Sequence, residues 1–181
     1  MNVYLKNILR FCVIVLLQVL ILNKITLRWW SDPSGFPVFI PYVYPLFLLL
    51  LPFETPVWAL LLCGFVLGLT VDAFTNTAGM HAFATVLIAY LRTNVLTALL
   101  PRNLSEYSGS QPSTRNMGWM PFLVYSGFLI ILHHLVFFSI ELWNFSNLGQ
   151  LLLKTLASVV TSMLFVVVYL LLFSRQDNSR M

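Results

Sequence analysis

Charged residues are scarce in this chain of 181 residues: Asp, Glu, Lys and Arg together make up only 9%. A soluble globular domain carries about 25% charged residues. Apolar residues instead account for 59% of the chain. These proportions exclude a soluble domain of ordinary size and predict one integral membrane domain over residues 1–181, embedded in a lipid bilayer. The net charge of +4 bears on membrane orientation, and no nucleic-acid partner is expected.

Cysteine and catalytic motifs are also scarce. The two cysteines, Cys12 and Cys63, lie inside apolar runs, where they are predicted to pack as small hydrophobic side chains. The sequence has no CxxC pair and no metal-ligand spacing. It also has no GxxxxGK[ST], GxGxxG, HExxH or GxSxG motif. We therefore predict a protein that is not an enzyme, without catalytic residues, cofactor or bound metal.

Six apolar segments predict an all-α bundle of about six transmembrane helices, because one helical span needs roughly 20 apolar residues. No small-residue cleavage site follows the first segment, which is therefore predicted to be a retained helix and not a signal peptide. Pro41 and Pro45 remove backbone donors from the second segment, which is expected to be kinked, extended or re-entrant. Five full spans plus one half-span is the alternative. The segments cover about 8–27, 37–53, 56–73, 80–100, 121–142 and 150–173.

Positive charges are distributed unevenly between the predicted loops. With six spans, seven of the ten Lys and Arg residues fall on the side that holds both termini and residues 101–120. Cytoplasmic loops of membrane proteins are enriched in Lys and Arg. Both termini and a flexible loop over 101–120 are therefore predicted to be cytoplasmic. The five tryptophans fall at predicted segment boundaries, as in the aromatic belts of membrane proteins.

A stripe of glycines leads to an acidic residue at the end of the third segment. Gly64, Gly68 and Asp72 are spaced by four residues and share one face of a helix. Small residues at this spacing let a second helix approach closely, so we predict a tight helix contact that ends at Asp72 near the external surface. The carboxylate either binds a cation, ligand or partner, or caps the 75–80 turn or the next helix. Gly79 is expected to free the backbone of that turn.

Other polar residues inside the predicted spans also have more than one interpretation. Ionisable groups in spans are costly and mark candidate functional sites. His81 is either a ligand or a hydrogen-bonded structural residue, and Arg92 either extends to the headgroups or pairs with an acid such as Glu54. The histidine pair at 133–134 lacks the further ligands of a metal site. The candidates for interhelical hydrogen bonds are His133, His134, Gln18, Lys154, Ser158, Thr161 and Ser162.

The stretch GFVLGLTVDAFTNTAGMHAFATVLIAYLR, residues 64–92, combines three features. It has a Gly-x-x-x-Gly-x-x-x-Asp helix end, a short polar turn with Gly79, and a small-residue helix that ends in Tyr90–Leu91–Arg92. In these features residues 52–92 resemble the rod shape-determining MreD family, and the rest of the chain is similar to that family in hydropathy.

The resemblance implies a fold and a function. The implied fold is S-component-like, similar to the six-helix substrate-binding subunit of ECF vitamin transporters. The implied function is a non-enzymatic role in bacterial cell elongation at the inner membrane. The implied partners are a bitopic MreC-like protein, the filament protein MreB, the glycosyltransferase RodA and its class B penicillin-binding protein. The candidate structural or partner-contact positions are Gly64, Gly68, Asp72, Gly79, His81 and Arg92.

Three classes of function remain open at this point. A scaffold that docks partner transmembrane helices fits the glycine stripe and the absence of catalytic motifs, and self-association as a homodimer is compatible with it. A small solute-binding membrane protein needs an external polar pocket, for which Asp72, His81 and the 75–80 turn are the lining candidates. A membrane-embedded enzyme would need clustered acids, whereas the six acids are scattered among loops and helix ends.

Overall fold

A computed structural model describes residues 3–24, 27–28, 37–101, 103–143 and 148–173. The predicted all-α class is confirmed, and a short antiparallel strand pair follows the first helix. The strands are β1 (Leu27–Arg28) and β2 (Pro37–Phe39). The helices are α1 (Val3–Leu20), α2 (Leu46–Leu49), α3 (Val57–Thr75), α4 (Met80–Leu99), α5 (Thr114–Met117), α6 (Trp119–Leu142) and α7 (Leu148–Phe173), with 3₁₀ turns at Leu22–Lys24 and Leu104–Tyr107.

Five helices of the described chain are long and apolar enough to cross a membrane, so the protein is a multi-pass membrane protein. They are α1 with its following turn, α3, α4, α6 and α7. The predicted count of six helical spans is not confirmed. Residues 37–53 contain no spanning helix, because their only helical stretch is the four-residue α2.

The tryptophans whose positions are described lie at helix ends. Trp58 is the second residue of α3, Trp119 begins α6, and Trp143 follows the last residue of α6. All three side chains are exposed on the bundle surface. This placement fits the predicted aromatic belt, while Trp29 and Trp30 lie outside the described residues.

Residues 40–53, called the central segment below, take the place of the predicted second helix. The chain is non-helical from Ile40 to Val43 and then turns through α2, as Pro41 and Pro45 led us to expect. The Ile40 amide donates to Ser158 within α7 (3.1 Å). At the other end of the segment, the Phe53 amide donates to the carbonyl of Ser110, in the connection between α4 and α6 (3.1 Å). The segment therefore leads from the middle of α7 to the end of the bundle where α6 begins.

The central segment lies in the interior of the bundle. Residues 41–51 are all buried, and several of their side chains are among the most buried of the core. Non-helical backbone at membrane depth leaves polar groups without helical partners, and it is tolerated where protein surrounds it. The polar side chains of the surrounding helices therefore decide whether this segment is stable.

The glycine stripe packs α3 against α4 within the chain. A Cβ atom on Gly68 would lie 2.4 Å from the Cα atom of Ala82, and one on Gly64 would lie 3.1 Å from the Cβ atom of Ala89. The Thr85 hydroxyl also lies 2.8 Å from the Gly64 carbonyl oxygen. The predicted tight helix contact is confirmed, and its occupant is the next helix of the same chain.

The turn between α3 and α4 uses two left-handed residues. Asn76 (φ 55°) ends α3 and returns its amide to the Asp72 carbonyl, and Gly79 (φ 81°) precedes the first residue of α4. Nothing lies within 4 Å of a Cβ atom built on Gly79. The glycine is therefore needed for its backbone conformation and not for space, as predicted.

The connection predicted as a flexible cytoplasmic loop, residues 101–120, contains regular structure. It forms the 3₁₀ turn Leu104–Tyr107 and the short helix α5. The Tyr107 ring packs on Phe53, with 5.0 Å between ring centroids. This connection therefore covers the end of the central segment, while Arg102 lies outside the described residues.

Candidate functional site

Gln18 of α1 binds the backbone of the central segment. Its side-chain oxygen accepts hydrogen bonds from the amides of Val43 (2.8 Å) and Tyr44 (3.3 Å). Its side-chain nitrogen donates to the Pro41 carbonyl (3.0 Å). One glutamine thus replaces backbone hydrogen bonds that these residues would have made within a helix. The prediction for Gln18 was a hydrogen bond between helices, whereas the side chain binds non-helical backbone.

Two serines of α7 bind the same backbone from the opposite side. Ser158 accepts from the Ile40 amide (3.1 Å) and Ser162 accepts from the Tyr42 amide (3.0 Å). Ser162 also lies 3.1 Å from Nε2 of His134 in α6. Ser158 and Ser162, four residues apart on α7, therefore both face the central segment, where they bind the alternate residues Ile40 and Tyr42.

Arg92 of α4 binds carbonyl groups at the far end of the segment. Its Nη2 donates to the Leu51 carbonyl and lies 3.3 Å from the Pro52 carbonyl. Both predicted alternatives for Arg92 are wrong, because the side chain is 1% exposed and does not extend over the surface of the bundle. Glu54, the proposed acidic partner, instead accepts from the Gly109 amide (3.0 Å).

Arg10 of α1 and Tyr125 of α6 complete this end. The Tyr125 hydroxyl donates to the Leu49 carbonyl (3.1 Å), and Nη1 of Arg10 donates to the Leu50 carbonyl (3.1 Å). The last carbonyls of a helix lack partners inside that helix, and cations there are stabilised by the helix dipole. The carbonyls at and after the end of α2 thus receive donors from α1, α4 and α6.

A cluster of histidines and tyrosines lies at the middle of this interior. The Tyr44 hydroxyl is 2.8 Å from Nδ1 of His81 in α4 and 2.6 Å from Nε2 of His133 in α6. The Tyr42 ring packs edge-on against His81 (4.9 Å between centroids), and Phe137 stacks on His81 (4.2 Å). All three histidines of the chain therefore contact the central segment. His134 does so by way of Ser162, which binds the Tyr42 amide.

The Tyr44 hydroxyl can donate to only one of its two histidines and must accept from the other. The outer nitrogens, Nε2 of His81 and Nδ1 of His133, are buried without a hydrogen-bond partner among the described residues. With both rings neutral, one of these outer nitrogens is a donor and the other an acceptor. The cluster therefore clamps Tyr44 between α4 and α6.

Asp72 caps the start of α4. One carboxylate oxygen accepts from the His81 amide (3.0 Å) and the Thr77 hydroxyl (2.6 Å). The other accepts from the Ala82 amide (2.9 Å). The predicted capping role is confirmed, because these amides belong to the first turn of a helix, which has no internal acceptors for them.

The predicted site residues form two groups. Gly64, Gly68, Asp72, Gly79 and His81 belong to the α3–α4 hairpin and lie together. Arg92 is eleven positions after His81 on α4, or about 16 Å along the axis. Tyr42 and Tyr44 were not among the predicted site residues, although the motif PYVYP, residues 41–45, combines them with two prolines that disfavour a helix.

A second polar contact joins α6 and α7 near the connection between them. Nζ of Lys154 lies 2.5 Å from a carboxylate oxygen of Glu141 and 4.8 Å from the Phe138 ring centroid. Lys154 is buried, and Glu141 is partly exposed. No group of three or more His, Cys, Asp or Glu side chains in the described part of the chain is arranged to hold a metal ion.

Replacing Tyr44 by phenylalanine is expected to destabilise the protein by about 2 kcal/mol, because one histidine nitrogen on each side loses its partner while still buried. Thermal unfolding of the purified protein in detergent measures the effect. Tyr42→Phe is the matched control, because the contacts of Tyr42 with His81 and Phe137 are made by its ring. Equal stability of the Tyr44 variant and the wild type would contradict the clamp.

The fold and the site define a multi-pass helical membrane protein with a non-helical segment held inside the bundle. No protein-family model, no curated protein and no solved structure matches the chain.

Proposed function

We infer that this protein is a non-enzymatic scaffold of the bacterial inner membrane that docks the transmembrane helix of a partner in the cell-elongation machinery. The MreD-like motif over residues 64–92 is the basis for naming that machinery. A bitopic MreC-like protein is the direct partner in this proposal. MreB, RodA and the class B penicillin-binding protein belong to the same complex, and both termini are cytoplasmic.

The observation that carries the proposal is that the interior polar side chains bind the protein's own backbone. Gln18, Ser158, Ser162, Arg10 and Arg92 all bind the backbone of the central segment. Side chains from α1, α4 and α7, together with Tyr125 of α6, are thereby fixed to this one segment. Such an arrangement favours a rigid framework whose outer faces are free for other helices, as a scaffold requires.

A groove on the outer face of the α3–α4 hairpin supports the choice of a helical partner. Its volume is about 250 Å³, and its lining is apolar. Four of its residues lie on α4 at positions i, i+3, i+4 and i+7, the set that receives one side chain of a facing helix. The lining residues are Phe83, Val86, Leu87 and Tyr90 of α4 and Leu61 of α3.

Photo-crosslinking in bacterial membranes tests the proposal. The protein is produced with benzoylphenylalanine in place of Phe83 or Tyr90, whose side chains are 59% and 56% exposed, together with the MreC-like partner encoded by the same bacterium. We expect an adduct of the combined mass of the two proteins, identified by mass spectrometry of the crosslinked peptide.

Phe128 of α6 is the matched control, since it is an aromatic residue with 52% exposure on another helix. Crosslinks from Phe83 and Tyr90 with little from Phe128 would support docking at the groove. Equal crosslinking from all three positions, or adducts with lipid alone, would contradict it. An adduct of twice the mass of the chain would assign the groove to a homodimer and contradict the partner helix.

A second candidate, a small solute-binding membrane protein, is favoured by the central segment itself. Discontinuous segments at membrane depth commonly form the substrate sites of transporters. Tyr44 and the three histidines line this part of the interior. Mass spectrometry of small molecules extracted from the purified protein discriminates the two functions. A stoichiometric solute lost in the Tyr44→Phe variant would favour the solute-binding function.

A further inference from the structure

The end of the bundle near residues 50–52 holds two guanidinium groups close together. Arg10 donates to the Leu50 carbonyl, and Arg92 donates to the carbonyl of the next residue, Leu51. The other described oxygens at the two arginines are the Pro52 carbonyl, the side-chain amide oxygen of Gln111 and the Tyr125 hydroxyl beside Arg92. All of these oxygens are neutral, so two positive charges share this end without a carboxylate among their described partners.

Arg92 has unused donors in a place where water does not compensate for them. Its Nε and Nη1 are buried and have no acceptor among the described residues, and the whole side chain is 1% exposed. Buried polar groups nearly always have partners, so each exception needs an explanation such as an ion or a ligand. A buried charge makes the requirement stronger, because removing it from water is costly.

The fork of Arg10 shows what kind of acceptor fits here. Its Nη1 and Nη2 both lie 3.2 Å from the amide oxygen of Gln111. Both nitrogens share this single oxygen, whereas a carboxylate or phosphate would offer a separate oxygen to each of them, as in two-pronged guanidinium pairs. Arg10 and Gln111 are both partly exposed, so an anion that displaces the amide oxygen has access to this fork.

The acid nearest along the chain does not neutralise the pair. Glu54 is exposed, and its carboxylate accepts from the Gly109 amide. The Phe53 amide meanwhile binds the Ser110 carbonyl, which holds residues 109–111 over this end of the segment. The polypeptide therefore positions Gln111 at Arg10 and keeps Glu54 on the outside.

We propose that Arg10 and Arg92 form a binding site for a phosphate group, supplied by the headgroup of an anionic phospholipid or by free phosphate. A phosphate offers several acceptor oxygens and a negative charge, which match the Arg10 fork and the two unused donors of Arg92. Basic pockets between transmembrane helices bind anionic headgroups by this chemistry. Binding exchanges the neutral Gln111 oxygen for charged oxygens and leaves the carbonyl contacts at residues 50–52 in place.

The test uses the full chain purified in a neutral detergent. It is mixed with phosphatidylglycerol, phosphatidylcholine or inorganic phosphate, the last against chloride at equal ionic strength. Native mass spectrometry counts bound lipid, and thermal unfolding measures stabilisation. We expect phosphatidylglycerol to bind and to raise the unfolding temperature, with phosphatidylcholine at least tenfold weaker. Stabilisation by inorganic phosphate as well would identify free phosphate as a source of the same group.

Arg10→Gln is expected to weaken the phosphate-dependent effects at least tenfold. Lys24→Gln is the matched control, because it removes one exposed charge from the 3₁₀ turn that follows α1. Gln111→Ala provides a second variant that keeps both arginines, and we expect it to bind phosphatidylglycerol as tightly as the wild type or more tightly. Equal loss in the Arg10 and Lys24 variants, loss of binding in Gln111→Ala, or no selectivity for phosphatidylglycerol and phosphate would overturn the proposal.

Discussion

Gly68→Ala is expected to destabilise the protein by about 3 kcal/mol, the upper end of the usual cost of overpacking. The added Cβ atom would lie 2.4 Å from the Cα and 2.6 Å from the amide nitrogen of Ala82. Both are backbone atoms of α4, so no side chain can rotate to make room and the two helices must separate. Thermal unfolding in detergent measures the loss, and the hairpin hydrogen bond between Thr85 and Gly64 should weaken with it.

Two other glycines calibrate this result. At Gly64 the new Cβ atom would be 3.1 Å from the Ala89 Cβ atom and the Thr85 carbonyl, so we expect a smaller loss of about 1 kcal/mol. Gly127 lies inside α6, where the nearest atom is the flexible end of Met163 at 3.8 Å. Gly127→Ala should be neutral or slightly stabilising, because alanine favours helix more than glycine. Equal stability of all three variants would refute the close contact at Gly68.

The position of Gly68 also changes how a partner-binding experiment is interpreted. A bulky residue at Gly68 would disrupt α3–α4 packing first, so the loss of a partner in such a variant would report on the fold. The groove positions Phe83 and Tyr90 face outward and avoid this ambiguity. Partner docking is therefore better tested on the outer face of the hairpin than on the glycine stripe.

The α3–α4 hairpin was predictable because its determinants are local. Gly64, Gly68 and Asp72 share one helix face by spacing alone, and the partner helix follows after a short turn. The left-handed Gly79 and the capping acid are likewise encoded within ten residues of the contact they make. Periodicity and turn chemistry therefore sufficed to place this part of the candidate site.

The central segment was predictable only in part. Pro41 and Pro45 indicated a break in the helix, but hydropathy still suggested a sixth span, since the residues are as apolar as those of a spanning helix. What makes the non-helical chain stable comes from distant positions: Ile40 binds Ser158, and Leu51 binds Arg92. No local pattern encodes such pairings. The polar side chains of the other helices were therefore predicted to hydrogen-bond to each other and not to this backbone.

Arg92 illustrates the physical reason for the error. A lone arginine in an apolar helix is expected to seek water or an acid, because a buried charge is costly. Here it binds carbonyl groups just after the end of α2. These carbonyls need donors from elsewhere because α2 stops and leaves them without helical partners. The convergence of His81, His133 and Tyr44 is similar, because it depends on how three separate elements are arranged.

Asp72→Ala is expected to destabilise the protein by about 3 kcal/mol, because the amides of His81 and Ala82 lose a charged acceptor inside the protein. Asp72→Asn should cost about half as much. The amide oxygen can still accept from His81 and Thr77, but the amide nitrogen then faces the Ala82 amide, and two donors meet. The negative charge that favours a helix N-terminus is also lost. Thermal unfolding should therefore rank the wild type above asparagine and asparagine above alanine.

Hydrogen exchange separates the capping role from a general loss of stability. The amides of His81 and Ala82 should exchange faster in Asp72→Ala, relative to amides in the middle of α6, because their acceptors are the two oxygens of Asp72. Thr77→Ala is the matched control, since it removes a hydroxyl donor to the same carboxylate and leaves both amides bonded. Unchanged protection of the two amides in Asp72→Ala would mean that other groups hold the start of α4. Faster exchange of these two amides alone would instead identify the Asp72 carboxylate as the group that joins the end of α3 to the start of α4.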